Sequence, residues 1–180
     1  MNTLATPQKY RIAQPAATHS PNRFLDVAEK LLVHIVPEPA DGSGCVPFRE
    51  LLQRIITQSK TTWFTLLSAL YYAYLFALHV RQSDFNFVVP QGLNDPRRVF
   101  LVSLIVTHKF RYDCTYGNKA WAGLTGLSVA EITRLERAFL LIIDYRLNIT
   151  EQENRRFSQW LFQVYLPGSV AQARPIPIRH

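Results

Sequence analysis

Catalysis or metal binding in this 180-residue chain would have to be assembled from five histidines, two cysteines and thirteen carboxylates. The histidines are His19, His34, His79, His108 and His180. No two of them stand at the helical spacing that would place a pair of imidazoles on one face to hold a metal. Cys45 and Cys114 are too few for a disulfide framework or a four-cysteine zinc site, so they read as reduced thiols of an intracellular protein. No Gly-rich phosphate loop, His-Glu-x-x-His or Gly-x-Ser-x-Gly string occurs. His108, Asp113 and Cys114 lie close together and would suit a metal or an activated thiol. A buried histidine and a buried thiol near a helix end is the simpler reading. Asn148-Ile-Thr150 matches a glycan acceptor, but the first twenty residues lack the apolar core of a secretory signal, and Thr150 has a capping role instead. The chain is expected to use no catalytic residue, metal or cofactor, and to act by binding.

The elements that carry these residues come from a composition suited to one packed domain. Apolar residues make up 48% and charged residues 18%, which excludes wholesale disorder. The net charge is +7. Residues 1–23 hold Lys9, Arg11 and Arg23 without an acid, and residues 166–180 hold Arg174 and Arg179 without an acid. The middle is therefore nearly neutral, which argues against a groove-reading nucleic-acid domain. Residues 1–22 and 167–180 lack apolar periodicity and are expected to be a flexible arm and a flexible tail.

Between them, residues 23–166 read as one all-α domain. Phe24, Val27, Leu31 and Ile35 share a face of a first helix that stops at Val36, before Pro37. After a linker at 37–44, Phe48, Leu51, Leu52, Ile55 and Ile56 point inward from a helix over about 47–59. Residues 63–80 follow without a charge, long enough to span a bilayer. Mid-span Tyr71, Tyr72 and Tyr74, with Thr65, Ser68 and His79, favour the central helix of a bundle over a membrane span. Asp95 then caps a helix opening at Pro96 and running to about Tyr112. A short helix over about 118–124 ends at Gly126. Ser128 with Glu131, and Thr150 with Glu153, are capping boxes opening helices to about Tyr145 and Leu166. The expected fold is a five-helix bundle with one extra helix at each end.

Residues 98–147 resemble the cyclin box, most closely that of the PHO-type (P/U-type) cyclins. The matching pieces are Arg98, Lys109-Phe110, Asp113, Tyr116-x-Asn118, Trp121-Ala122 and Gly126-Leu127. They continue through Glu131-Ile-x-x-Leu-Glu136-x-x-Phe-Leu to Asp144-Tyr-x-Leu147. With the two preceding helices the likeness covers about 47–147, a single cyclin box. The resemblance implies a non-catalytic subunit, a monomer when free and a heterodimer with a cyclin-dependent protein kinase, acting in the cytoplasm or nucleus. Such a subunit binds one state of a bistable kinase more tightly, pushing its C-helix inward and reshaping its activation loop. It implies that Lys109 and Glu136 grip the kinase, with Phe110, Leu140 and Tyr145 as apolar contacts. Lys109 could equally be a solvated cation favoured by the helix dipole, and Glu136 a surface partner of Arg134 or Arg137. Cell-cycle control or nutrient signalling is the expected setting. The alternatives are a cyclin-fold adaptor in transcription or scaffolding, and a small protein anchored in a membrane through 63–80.

The chain departs from the cyclin pattern in places. Arg54 stands near the position of an arginine that cyclins pair with an acid on the next helix, but Ala73 occupies the acid's place. Arg111 and Tyr112 replace glutamates that commonly follow Lys-Phe. Thr6-Pro-Gln-Lys9 and Ser20-Pro-Asn-Arg23 have the Ser/Thr-Pro-x-basic form that cyclin-dependent kinases prefer, so Thr6 and Ser20 are candidate phosphosites.

Overall fold

The computed structural model describes residues 21–36, 47–58, 61–83 and 87–165. The linker, Cys45, the tail after 166, and both candidate phosphosites, Thr6 and Ser20, lie outside the described residues. So does the expected arm, except for its last two residues. These belong to the first helix, which begins at Pro21, because a proline fits the first helical position.

The described residues form seven α-helices and no strand: α1 (Pro21–Ile35), α2 (Phe48–Gln58), α3 (Trp63–Gln82), α4 (Pro96–Arg111), α5 (Asn118–Thr125), α6 (Val129–Ile142) and α7 (Glu151–Tyr165). Their starts follow local chemistry. Thr62 accepts a hydrogen bond from the Thr65 amide and opens α3, and Asp95 accepts from the Arg97 amide ahead of Pro96. Gly126 ends α5 at φ +78°, where its amide reaches the Ala122 carbonyl. Thr150 and Glu153 cap each other reciprocally at the start of α7.

Two neighbouring helices make the centre. Every residue of α3 from Thr65 to Ala77 is buried, and so is every residue of α4 from Val99 to His108. α3 touches α1, α4, α6 and α7, so its apolar surface is covered on several sides by the chain itself. By length and composition α3 could cross a membrane. Its aromatic side chains nevertheless find partners within the protein: Tyr71 meets Phe157 edge-on, Tyr74 packs between Phe157 and Trp160, and Phe76 stacks on Phe139 of α6. Buried Ser103 and Thr107 donate to the Phe100 and Ser103 carbonyls of their own helix.

Ala73 is fully buried, and Arg54 is exposed with no ion pair among the described residues. The cation that ties α2 to its neighbour is Arg49, which bonds Asp26 and Glu29 of α1. The α6 helix ends at Ile142, three residues before the expected end at Tyr145. Asp144 and Tyr145 both adopt φ +52°, a left-handed pair that no helix continues through. The reversal brings the Leu147 carbonyl within 2.6 Å of the Tyr72 hydroxyl, which donates to it.

That bond joins the centre of α3 to the turn after α6, and burial pushes the Tyr72 hydroxyl up to about 12. Tyr72→Phe should cost about 1–3 kcal/mol at neutral pH, because a buried carbonyl loses its donor. A folded-state value raised above the ordinary 10 contributes stability that is whole below pH 10 and lost as pH rises to about 12. Urea unfolding at neutral and alkaline pH should show that loss in the parent chain and a smaller one in Tyr72→Phe.

Candidate functional site

The end of α4 and the flank of α6 form the site, because the two helices are clamped together at two levels. Near the start of α4, Arg98 meets Glu131 of α6 at 2.8 Å. Gly92 makes room for this contact: its φ is +95°, and a Cβ there would lie 2.7 Å from the Arg98 guanidinium. Ser128 caps α6 by accepting from the Glu131 amide at 3.1 Å, while the Glu131 carboxylate is drawn to Arg98.

Near the end of α4, Lys109 Nζ lies 2.7 Å from both carboxylate oxygens of Glu136. The Lys109 side chain is 33% exposed and that of Glu136 13%. The pair is neither split between opposite sides nor sealed inside. Asn118, the first residue of α5, donates to Glu136 Oε2 at 3.3 Å and to Thr133 Oγ1 at 3.0 Å. Arg134 does not pair with Glu136, and donates instead to the Gln91 carbonyl at 3.0 Å.

Apolar side chains are also exposed on α4, on α6 and in the turn after it. Phe110, next to Lys109, is 51% exposed, and Tyr145 in the left-handed turn is 56% exposed. Leu140, one turn beyond Glu136, is half-buried against the core, whereas Leu141 is 59% exposed. The sequence reading named Leu140 and missed Leu141, because an apolar run this wide does not reveal which side the core takes. Asn118 entered only as part of a matching string, and the register of α5 against α6 gives it a contact with Glu136. Arg111 and Tyr112 fold back onto α3: the guanidinium sits 3.9 Å above the Phe64 ring, and the Tyr112 hydroxyl lies 2.7 Å from Thr65 Oγ1.

His108 is buried among Tyr112, Tyr116 and Trp121, with Nε2 3.0 Å from Thr61 Oγ1. Burial holds its pKa below the ordinary value. Cys114 is exposed, contrary to the expectation of a buried thiol, because residues 111–117 all lie on the surface. Among the described residues no three His, Cys, Asp or Glu side chains come together as a metal site. What this region offers chemically is a charged, hydrogen-bonded pair next to one exposed aromatic ring, Phe110, a combination suited to gripping another macromolecule.

Comparison with known proteins places the chain among related sequences. The cyclin family model matches residues 42–147. The chain is 36% identical to the G1/S-specific cyclin pas1 of Schizosaccharomyces pombe over 116 residues, which are 64% of this chain and 28% of that protein. It is 37% identical to PHO85 cyclin-5 of Saccharomyces cerevisiae over 65 residues, 36% of this chain and 28% of the relative. It is 29% identical to Cyclin-U4-3 of Arabidopsis thaliana over 105 residues, 58% of this chain and 45% of the relative. The chain thus spans less than half the length of these three relatives. No solved structure matches it.

A part-exposed ion pair contributes little to folding, since solvent screens it and ordering two long side chains costs entropy. Glu136→Gln should therefore change unfolding stability by no more than about 1 kcal/mol. Thermal or urea unfolding of the two proteins side by side checks this.

Proposed function

The chain belongs to the cyclin family, and on that premise we propose that it is a regulatory subunit that binds and activates a cyclin-dependent protein kinase. The observation that carries the reading is the part-exposed Lys109–Glu136 pair with exposed Phe110 next to it in the last turn of α4. A cation and an anion held together offer donors and acceptors at once to the backbone and side chains of a partner. The exposed Phe110 ring supplies apolar area that a stable contact needs. Leu140 and the more exposed Leu141 extend that area along α6.

In this reading the chain brings no catalytic group of its own. It stabilises the kinase conformation in which the C-helix glutamate pairs with the ATP-binding lysine. The free chain is a monomer and the working form is a heterodimer, in the cytoplasm or nucleus. A role in cell-cycle progression or nutrient response draws support from the pas1 relative, named a G1/S-specific cyclin, and from the PHO85 cyclin. The arm extends the same proposal: the bound kinase phosphorylates Thr6 and Ser20, whose Ser/Thr-Pro-x-basic strings fit its preference, and so reverses the local charge.

Capture from a panel of purified cyclin-dependent kinases tests the reading. One kinase should bind and gain activity, and Lys109→Glu or Glu136→Lys should weaken capture by about tenfold or more, since a desolvated charge then meets its like. Capture unaffected by both reversals, or no kinase bound, would overturn it. Incubating the complex with ATP should modify Thr6 or Ser20, as read by mass spectrometry, and modification of neither would end the proposal about the arm.

A further inference from the structure

Resting on the kinase-docking reading, we propose that Asn118 is the positioning residue that orients Glu136 for the partner. Three observations converge on it. Its amide nitrogen donates to both Glu136 Oε2 and Thr133 Oγ1, joining the first residue of α5 to the flank of α6. The Thr133 hydroxyl donates its own proton to the Val129 carbonyl at 2.8 Å, so its oxygen can only accept from Asn118. Glu136 as a carboxylate likewise only accepts. Only the amide end of Asn118 can face both groups.

The third observation is the penalty of that orientation. Asn118 Oδ1 is buried and has no hydrogen-bond partner. A buried acceptor left without a donor is destabilising. Flipping the amide would not relieve this, because it would set Oδ1 against an anion and an acceptor oxygen. The orphan oxygen is thus the consequence of steering the amide toward Glu136. Two donors, Lys109 Nζ and Asn118 Nδ2, converge on one carboxylate from different helices and leave it one conformation. Pre-ordering a docking side chain removes entropy that binding would otherwise cost.

Asn118→Asp is nearly isosteric and puts a carboxylate where the amide donated. An acid at the first position of α5 suits the helix dipole, so the helix itself is not weakened. Full-length parent, Asn118→Asp, Glu136→Gln and the double variant are titrated against the panel kinase that the parent binds, with thermal unfolding of each as a fold control. Asn118→Asp should weaken binding about tenfold, the size of one lost charge-assisted hydrogen bond. In the Glu136→Gln background the same change should matter less than about twofold, because the substituted side chain carries an amide that can donate to the new carboxylate. A role confined to folding would move the unfolding midpoint and add equally in both backgrounds, which overturns the proposal. If Glu136→Gln weakens binding but Asn118→Asp does not, the proposal fails and the docking reading stands. If Glu136→Gln has no effect on binding, the proposal falls together with the assignment of Glu136 as a contact, and the charge reversals at Lys109 and Glu136 decide the wider reading.

Discussion

Everything in this fold follows from a pair of helices that cannot face water on their buried stretches. α3 from Thr65 to Ala77 and α4 from Val99 to His108 are apolar around much of their circumference, so the remaining helices have to serve as their cover. α1, α6 and α7 lie on α3, while α1, α2 and α6 lie on α4. Polar groups trapped in these helices are satisfied locally, as when Ser68 donates to the Phe64 carbonyl. Covering the sides of α4 leaves its charge at the two ends, Arg97 and Arg98 in the first turn and Lys109 and Arg111 in the last. Lys109 appears there one residue after the last buried position, His108.

The candidate site and the core are therefore joined along one helix, whose buried stretch ends at His108 and whose next residue is Lys109. Arg98 and Glu131 set how α4 lies against α6 near its start, and that register decides what stands beside Lys109 near its end. Gly92 belongs to this chain of causes although it touches nothing at the site, since a side chain there would displace Arg98. On the other flank, Arg111 and Tyr112 are tied to α3. They contribute to anchoring the last turn of α4. The electrostatic character of the surface is accordingly set by Lys109 and Glu136 more than by Arg111.

Much of this was legible in the residues. Helix starts at Asp95, Ser128 and Thr150, and the stop at Gly126, follow from capping chemistry that acts over a few residues. The meeting of Lys109 with Glu136 was legible only through family resemblance, because no local rule relates two residues 27 apart on different helices. The end of α6 was missed: the apolar run through Ile143 continues the helical pattern, and nothing local in the sequence marks the left-handed turn at Asp144 and Tyr145 that follows it. Arg49 was missed as the tie between α1 and α2 because Arg54 drew attention as the family position. Which leucine of the run faces outward depends on how far α6 rotates against α4, a quantity set by packing alone.

The two consecutive left-handed residues after α6 bear on the mechanics of association. The amides of Asp144 and Tyr145 are bonded back to the last turn of α6, at the Leu141 and Leu140 carbonyls, and two residues further on the Leu147 carbonyl is held by the buried Tyr72 phenol. The backbone that carries the exposed Tyr145 ring is thus tied at both ends by hydrogen bonds, in contrast to a side chain on a freely swinging loop. Any contact made through this turn would leave little backbone motion to be frozen out there.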